Sequence, residues 1–477
     1  MHIVLDASDL ASDKKHLLTR LVQTDLDELN DSVVHRLNIV TAKRASDSTK
    51  AEMVYVDTRS GEPINHQLAV VVYTAPESSS ENPIFKLQPY DSVLEVHANP
   101  ASTSSEMGLQ SLARSIAENL RTTFAEERET ITHILASDAA FARSLGLQEQ
   151  ASATYELQQR SNRAFKYAST YHLTFSLFSG SATPSSWDIK TALDAYLDPF
   201  LDSFSSISKF TVDTQVQLYA SLSSSISGPS YDEASNQWTL LQSDLSAFVN
   251  AAEWPLSPSI GAGPTINFVV YVPSESQTPL VIRETGGTSW LIPQWGGVQI
   301  LNPAAPGQPG NHTVLNVDAL EPVMRIFADQ LDSLLGLPSS PASLPLRLSS
   351  LARERTASLV LSASSTLGAL ARLTLKLTSI AIPDNVAGSV AKSLQHLEQT
   401  CNDLHQGRFD SALEHARFAE SHAERAFFDP SMVGQVYFPD EHKVAVYVPL
   451  LGPMAVPLAM AAIKELKRIQ QTRSFSR

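Results

Sequence analysis

Cys401 is the chain's single cysteine. Three histidines stand near it in sequence: His396, His405 and His415. A thiol beside an imidazole base is the pairing of cysteine nucleophiles. Cys401 nevertheless falls on an apolar helical stripe, with Val386, Val390, Leu394, Leu397 and Leu404 recurring every three or four residues. A thiol on such a stripe is expected to be buried and inert, and no cysteine-protease signature surrounds it. His422 lies in SHAER, which lacks the HExxH spacing that sets two metal ligands on one helix face. No Walker A loop, GxGxxG or GxSxG occurs. Glu127 and Glu129 read as a solvated helix face. Gly286-Gly287 and Gly296-Gly297 flank Trp290 and Trp295; they read as turns, with the indoles filling a core edge. The expectation is no catalytic residue, no cofactor and no metal site.

The residues that stand out act on a membrane instead. Val444 to Ile463 contains no charged residue and is followed by Lys464, Lys467, Arg468, Arg473 and Arg477. A helix of that length covers about 30 Å, the hydrocarbon thickness of a bilayer. Nothing before Val444 reads as long and apolar enough to span. Within the segment Pro449, Pro453 and Pro457 recur every four residues and so share nearly one face. Each removes a backbone N–H. A helix with one irregular face is better suited to packing on other helices than to facing lipid alone.

Two signals set the orientation in opposite ways. The basic tail places the C-terminus in the cytosol and the body across the membrane. The sequons Asn30-Asp31-Ser32 and Asn311-His312-Thr313 fit that side, Asn311 better because PAAPGQPGN reads as an exposed loop. MHIVLDASDL, however, is no signal peptide. A chain with only a C-terminal span would be tail-anchored with its body in the cytosol, an adaptor docking a soluble partner through its helical hairpin.

The elements that precede the membrane segment form a large folded body. The chain has 477 residues, 43% of them hydrophobic, and a formal charge of -15. An acidic surface disfavours nucleic acid and anionic lipid as main ligands. One cysteine excludes an intrachain disulfide framework. Strand signals fall at Leu37–Thr41, Met53–Asp57, Leu68–Thr74, Val93–His97, Tyr171–Phe178, Phe210–Tyr219, Ile266–Val272 and Leu280–Arg283. Helical signals fall at 105–165, 187–207, 319–336 and 352–381. A helical hairpin then bends at Gly407 and resumes through Phe409, Leu413, Ala416, Ala423 and Phe427. The fold class is α/β (mixed α+β), a sheet with helices on at least one side, followed by a helical region and one C-terminal transmembrane helix. The expected divisions are body 1–345, helical region 346–430, linker 431–443, membrane helix 444–464 and basic tail 465–477.

Specific blocks of sequence resemble a known family. ERAFFDPSMVGQVYFPDEHKVAVYVPLLGPMAVPLAM (Glu424–Met460) is similar to the C-terminal end of the PIG-S family of glycosylphosphatidylinositol (GPI) transamidase subunits. YHLTFSLF, WDIKTALDAYLDPFL, FTVDTQVQLYASL, INFVVYVP, PQWGGVQILN and LEPVMRIFADQLDSLLGLP follow in the family's order, over about residues 165–464. The resemblance implies a noncatalytic subunit of a complex in the endoplasmic reticulum membrane. That complex removes a C-terminal signal from a precursor protein and attaches a GPI lipid. The implied partners are the other transamidase subunits, among them a caspase-like cysteine protease that performs cleavage, and membrane lipids. The family's large domain is lumenal, between an N-terminal and a C-terminal membrane helix. The first of these is absent before Met1, which is expected to be a truncated or mis-assigned start. Asn311 lies where relatives also tend to carry a sequon.

Overall fold

The computed structural model describes residues 1–32, 34–44, 55–57, 66–74, 82–144, 146, 154–220, 228–249, 263–302, 314–376, 382–430 and 440–474. The chain divides into two compact units, Met1–Arg355 with Gly407–Leu413, and Thr356–Gln406 with Glu414–Arg477.

The first unit holds two principal sheets. The first contains β1 (His2–Asp6), β2 (Asn38–Arg44), β3 (Tyr55–Asp57), β4 (Leu68–Thr74), β5 (Ile84–Leu87) and β6 (Val93–Ala98), in the order β3-β2-β1-β4-β6-β5. β2, β1, β4 and β6 run parallel, while β3 and β5 are antiparallel edges. Leu68–Val72 is buried at every position, as expected of a continuous β-branched run covered on both faces. On one face lie helices Ser12–Leu29 and Glu106–Thr123, whose Leu18, Val22, Leu109, Leu112 and Ile116 meet Leu5, Val70 and Val96. Ser105 starts the second of these helices by accepting the Gly108 N–H at 3.0 Å. Val4, Tyr55, Ala69, Val71 and Val93 form a smaller cluster.

The second sheet has Thr170–Ser179 near its centre, flanked by Lys209–Leu218 on one side and Thr265–Val272 on the other. Gly296–Ile300 and antiparallel Ser289–Ile292 lie beyond Thr265–Val272. Helix Val317–Leu335 places Phe327 against Phe175 and Phe268, with ring centroids 6.0 and 4.8 Å away. Asn316 caps that helix through the Ala319 N–H at 3.1 Å, and Gly336, left-handed at φ 71°, ends it. A second cluster, Phe178, Val269, Tyr271, Val298 and Ile300, includes Leu240 and Leu280 of a small sheet built from Ser230–Asp232, Gln237–Leu240 and Leu280–Ile282.

The two sheets follow one plan. β1, β2, β4, β5 and β6 correspond in chain order, neighbours and direction to Thr170–Ser179, Lys209–Leu218, Thr265–Val272, Ser289–Ile292 and Gly296–Ile300. In both, the helical segment after the first strand packs on the helix that follows the last.

Several sequence expectations change here. The 105–165 stretch is four helices, Glu106–Thr123, Ala125–Ala136, Ala139–Ser144 and Tyr155–Arg163. Residues 187–207 do not form one regular helix. They run Ile189–Ala192, a wider π turn at Leu193–Leu197, then Asp198–Ser203, beside Pro199, which has no N–H to give. Gly286 does turn, at φ 66°, but Gly296 and Gly297 lie inside a strand. A Cβ on Gly296 would overlap the Asn267 carbonyl of the neighbouring strand, and one on Gly297 would overlap the Gln330 side chain. Trp290 and Trp295 pack, partly buried, on the Val269 cluster.

The second unit contains Thr356–Lys376, the later part of helix Leu344–Lys376, together with Asp384–His405 and most of Phe409–Phe427. Leu370, Val386 and Ala426 form one contact cluster, and Ala363, Ala419 and Ala423 another. Ser393 Oγ donates to the Ala419 carbonyl at 2.7 Å.

Candidate functional site

The C-terminal helix runs Asp440–Ser474. The candidate span within it, Ala445–Ile469, is 25 residues long; its most apolar 18-residue window has mean hydropathy 1.8 and none of that window is buried. At about 1.5 Å per residue it reaches about 37 Å, more than a hydrocarbon core of about 30 Å. Leu450, Leu451, Met454, Val456, Leu458 and Met460 are all well exposed. The helix continues through Pro449, Pro453 and Pro457. Each proline leaves the carbonyl four residues earlier without its helical donor, which frees the acceptors of Ala445, Pro449 and Pro453. Steps of four residues drift by only about 40°, so these acceptors make a polar stripe along an otherwise apolar helix.

A second helix, Leu344–Lys376, also passes by length and composition, with mean hydropathy 1.3. The expectation that nothing before Val444 qualifies is corrected on that ground. Leu346, Leu351 and Ala352 are buried in the first unit and Leu359, Ala363 and Leu370 in the second, while only 17% of the helix's most apolar window is buried.

Cys401 is exposed, against the expectation of a buried thiol. The buried line of its helix is Val386, Ser393, Thr400 and Asp403, with Val390 and Leu397 beside it. Cys401 stands one residue, about 100°, past Thr400. Small hydroxyl residues take the interior because Ser393 and Thr400 satisfy themselves on backbone carbonyls, Thr400 on His396 at 2.8 Å. Apolar type alone therefore picked the wrong register.

The histidines gather with one another. His396 Nδ1 lies 3.1 Å from His415 Nδ1, and the His396 ring stacks on His422 with centroids 5.9 Å apart. Burial, then the neighbouring His415 and His422, lowers the His396 pKa. Asp403 stands 3.8 Å from His415 Nε2. Among the described residues Cys401 makes no hydrogen bond to these rings, and no group of three or more His, Cys, Asp or Glu is arranged to hold a metal.

Glu127 is not a solvated residue. It is 2% exposed and accepts from Arg353 Nε at 2.6 Å and Nη2 at 2.7 Å, and from Ser350 Oγ. His35 Nε2 is 3.6 Å away. Burial pushes this carboxyl up, but Arg353 and then His35 hold it well below the usual carboxylate range. The neighbouring Glu354, 3% exposed, goes the other way. Burial pushes it up to about 7 against the pull of Arg160, its ion-pair partner. No periodicity marks these residues, because the glutamate and its arginine are separated by more than two hundred positions. Glu129 is exposed as expected.

Asn30 is exposed, its Oδ1 accepting the Ser32 N–H at 3.1 Å. Asn311 lies outside the described residues.

A mixed α/β body with a helical region and a long uncovered apolar helix is consistent with a membrane protein. The family described as "Phosphatidylinositol-glycan biosynthesis class S protein" matches residues 1–472, and the chain belongs to it. The human GPI-anchor transamidase component PIGS is 32% identical over 329 residues, 63% of this chain and 58% of that protein. The GPI transamidase component PIG-S homolog of Schizosaccharomyces pombe is 32% identical over 326 residues, 66% and 57% of the two chains. The GPI transamidase component GPI17 of Saccharomyces cerevisiae is 30% identical over 330 residues, 65% and 60%. The matched part spans little more than half the length of these relatives.

Proposed function

We propose that the chain is a noncatalytic structural subunit of GPI transamidase. It is held in the endoplasmic reticulum membrane by the helix from Val444 to Lys464, with residues 1–443 in the lumen and the tail from 465 in the cytosol. Asn311 and Asn30 would then face the glycosylation machinery. The observation that carries this reading is the exposed apolar helix in a chain that belongs to the PIG-S family along nearly its whole length. The caspase-like subunit supplies the thiol, in keeping with an exposed Cys401 that engages no histidine among the described residues.

In this reading Pro449, Pro453 and Pro457 form the face that packs on partner membrane helices, where hydroxyl or amide donors meet the freed carbonyls. Replacing all three with leucine restores the helical hydrogen bonds and removes that stripe. The expected result is a chain that still inserts but recovers several-fold less of the other subunits on purification. Undiminished recovery would contradict the packing role. Cys401→Ser should leave transamidation unchanged.

A further inference from the structure

Lys209–Leu218 is a ten-residue strand with no partner on its outer side among the described residues. Its inner side is fully paired with Thr170–Ser179, in register from Lys209 to Leu218. Lys209 donates its N–H inward to the Ser169 carbonyl at 2.9 Å. Peptide groups alternate along a strand. The N–H and C=O groups of Phe210, Val212, Thr214, Val216 and Leu218 therefore point outward, a row of donors and acceptors without a ladder among the described residues. The side chains of these residues share one face. Val212 is 38% exposed, Val216 41% and Leu218 37%.

Soluble proteins protect such edges with short strands, charges, prolines or a covering segment. This strand is long, lacks proline, and carries only Lys209 and Asp213 as charges. The other sheet shows what covers the same place. There β2, the counterpart of Lys209–Leu218, is capped by antiparallel β3, pairing Ala42 with Asp57, Lys43 with Val56 and Arg44 with Tyr55. β3 is supplied by the segment that follows β2. In the second sheet the described residues of the corresponding segment pair elsewhere: Ser230–Asp232 pairs with Gln237–Leu240, which pairs in turn with Leu280–Ile282.

We propose that the outer edge of Lys209–Leu218 is a docking site for an extended segment of another subunit. That segment adds as an antiparallel strand in the position β3 holds in the first sheet. It has no proline at its ladder positions, and it carries apolar residues at alternate positions to cover Val212, Val216 and Leu218. That the donor is a transamidase subunit rests on the function proposed above; the open edge does not.

The test needs no mutation at first. Hydrogen–deuterium exchange of the peptide spanning 209–218 is measured on the purified full chain at several concentrations and on the chain recovered with its assembly. Fast exchange of the outward amides, those of Phe210, Val212, Thr214, Val216 and Leu218, in the isolated chain and at least tenfold slower exchange of the same amides in the assembly is the expected pair of results. Slow exchange of those outward amides in the isolated chain at every concentration would mean a cover from within. Slowing with concentration alone would mean a second copy. Either overturns the proposal, as does fast exchange inside the assembly.

The variant Val216→Pro removes an outward N–H and leaves the inner ladder intact. It is expected to lower recovery of the other subunits at least tenfold with the chain's own melting transition nearly unmoved. Should that variant not fold, Val216→Lys keeps the backbone and places a charge on the edge, with the same expectation. A chain recovered with no transamidase subunit would overturn the subunit reading along with this one. Subunits present with unprotected edge amides would overturn the edge alone.

Discussion

In the first sheet β2 is covered by β3, and β1 and β4 are buried between parallel neighbours. In the second, Lys209–Leu218 ends the sheet with Val212 and Val216 in solvent. The same strand order is also held together by different chemistry. Beside the first sheet, Arg353 enters from helix Leu344–Lys376, pairs with Glu127 and donates to Gln67 Oε1 at 2.9 Å. Beside the second, Phe327 packs at a tilt on Phe175 and Phe268, which stack on each other. A shared plan thus sets which strands meet, while the residues at the margins decide whether an edge is capped by a further strand, as β2 is by β3.

The largest effects should come from removing each sheet's own device. Arg353→Met leaves Glu127 buried without its counter-ion and is expected to cost about 3–5 kcal/mol. The double variant Glu127→Leu with Arg353→Met should recover most of that loss, since removing both charges strands neither. Phe327→Ala empties the aromatic stack and should cost a similar amount, about 3–5 kcal/mol, with no rescue by changes near Glu127. Chemical denaturation of the three variants checks this. A double variant as unstable as Arg353→Met would break the contrast between an ionic and an aromatic margin.

A smaller effect separates the two carboxylates. Glu354 has a folded-state pKa raised from 4.5 to about 7, so between those values the native state holds a proton that the unfolded chain has lost. Stability from this group is full below about 4.5 and falls as pH rises through 7, by about 3 kcal/mol across the window. Glu127 has the opposite sign. Its pKa is depressed, so its contribution is present above the ordinary carboxylate range and is lost in acid. Denaturation midpoints at pH 5 and pH 7.5 should differ in the native chain, and the difference should shrink in Glu354→Gln. A stability that rises steadily from pH 5 to 7.5 would contradict the assignment.

Much of this fold is legible in the residues themselves. Leu68–Thr74, Tyr171–Phe178 and Ile266–Val272 are unbroken apolar runs, and the observed strands match them closely. The 319–336 stripe is a helix because Leu320, Met324, Phe327, Leu331 and Leu334 fall on one face with caps at both ends. β1 escapes because its four apolar or acidic residues after His2 are too few to show a period. Ser289–Ile292 and Gly296–Ile300 escape because glycine signals a turn unless another backbone approaches as closely as Asn267 does. Two sheets rather than one, and their common order, depend on contacts between distant residues that no local pattern carries. At the candidate site the apolar helix and its prolines were readable, whereas the position of Cys401 was not, because Ser393 and Thr400 took the interior by hydrogen bonding.

The proposed placement puts this body in the lumen as part of a membrane-held assembly. Glycosidase digestion of the full chain in intact microsomes, compared with Asn311→Gln, tests it most directly. A lumenal body shows a mobility shift on digestion that Asn311→Gln loses, and is protected from added protease. A native chain without sugar whose body is cut by that protease would contradict it.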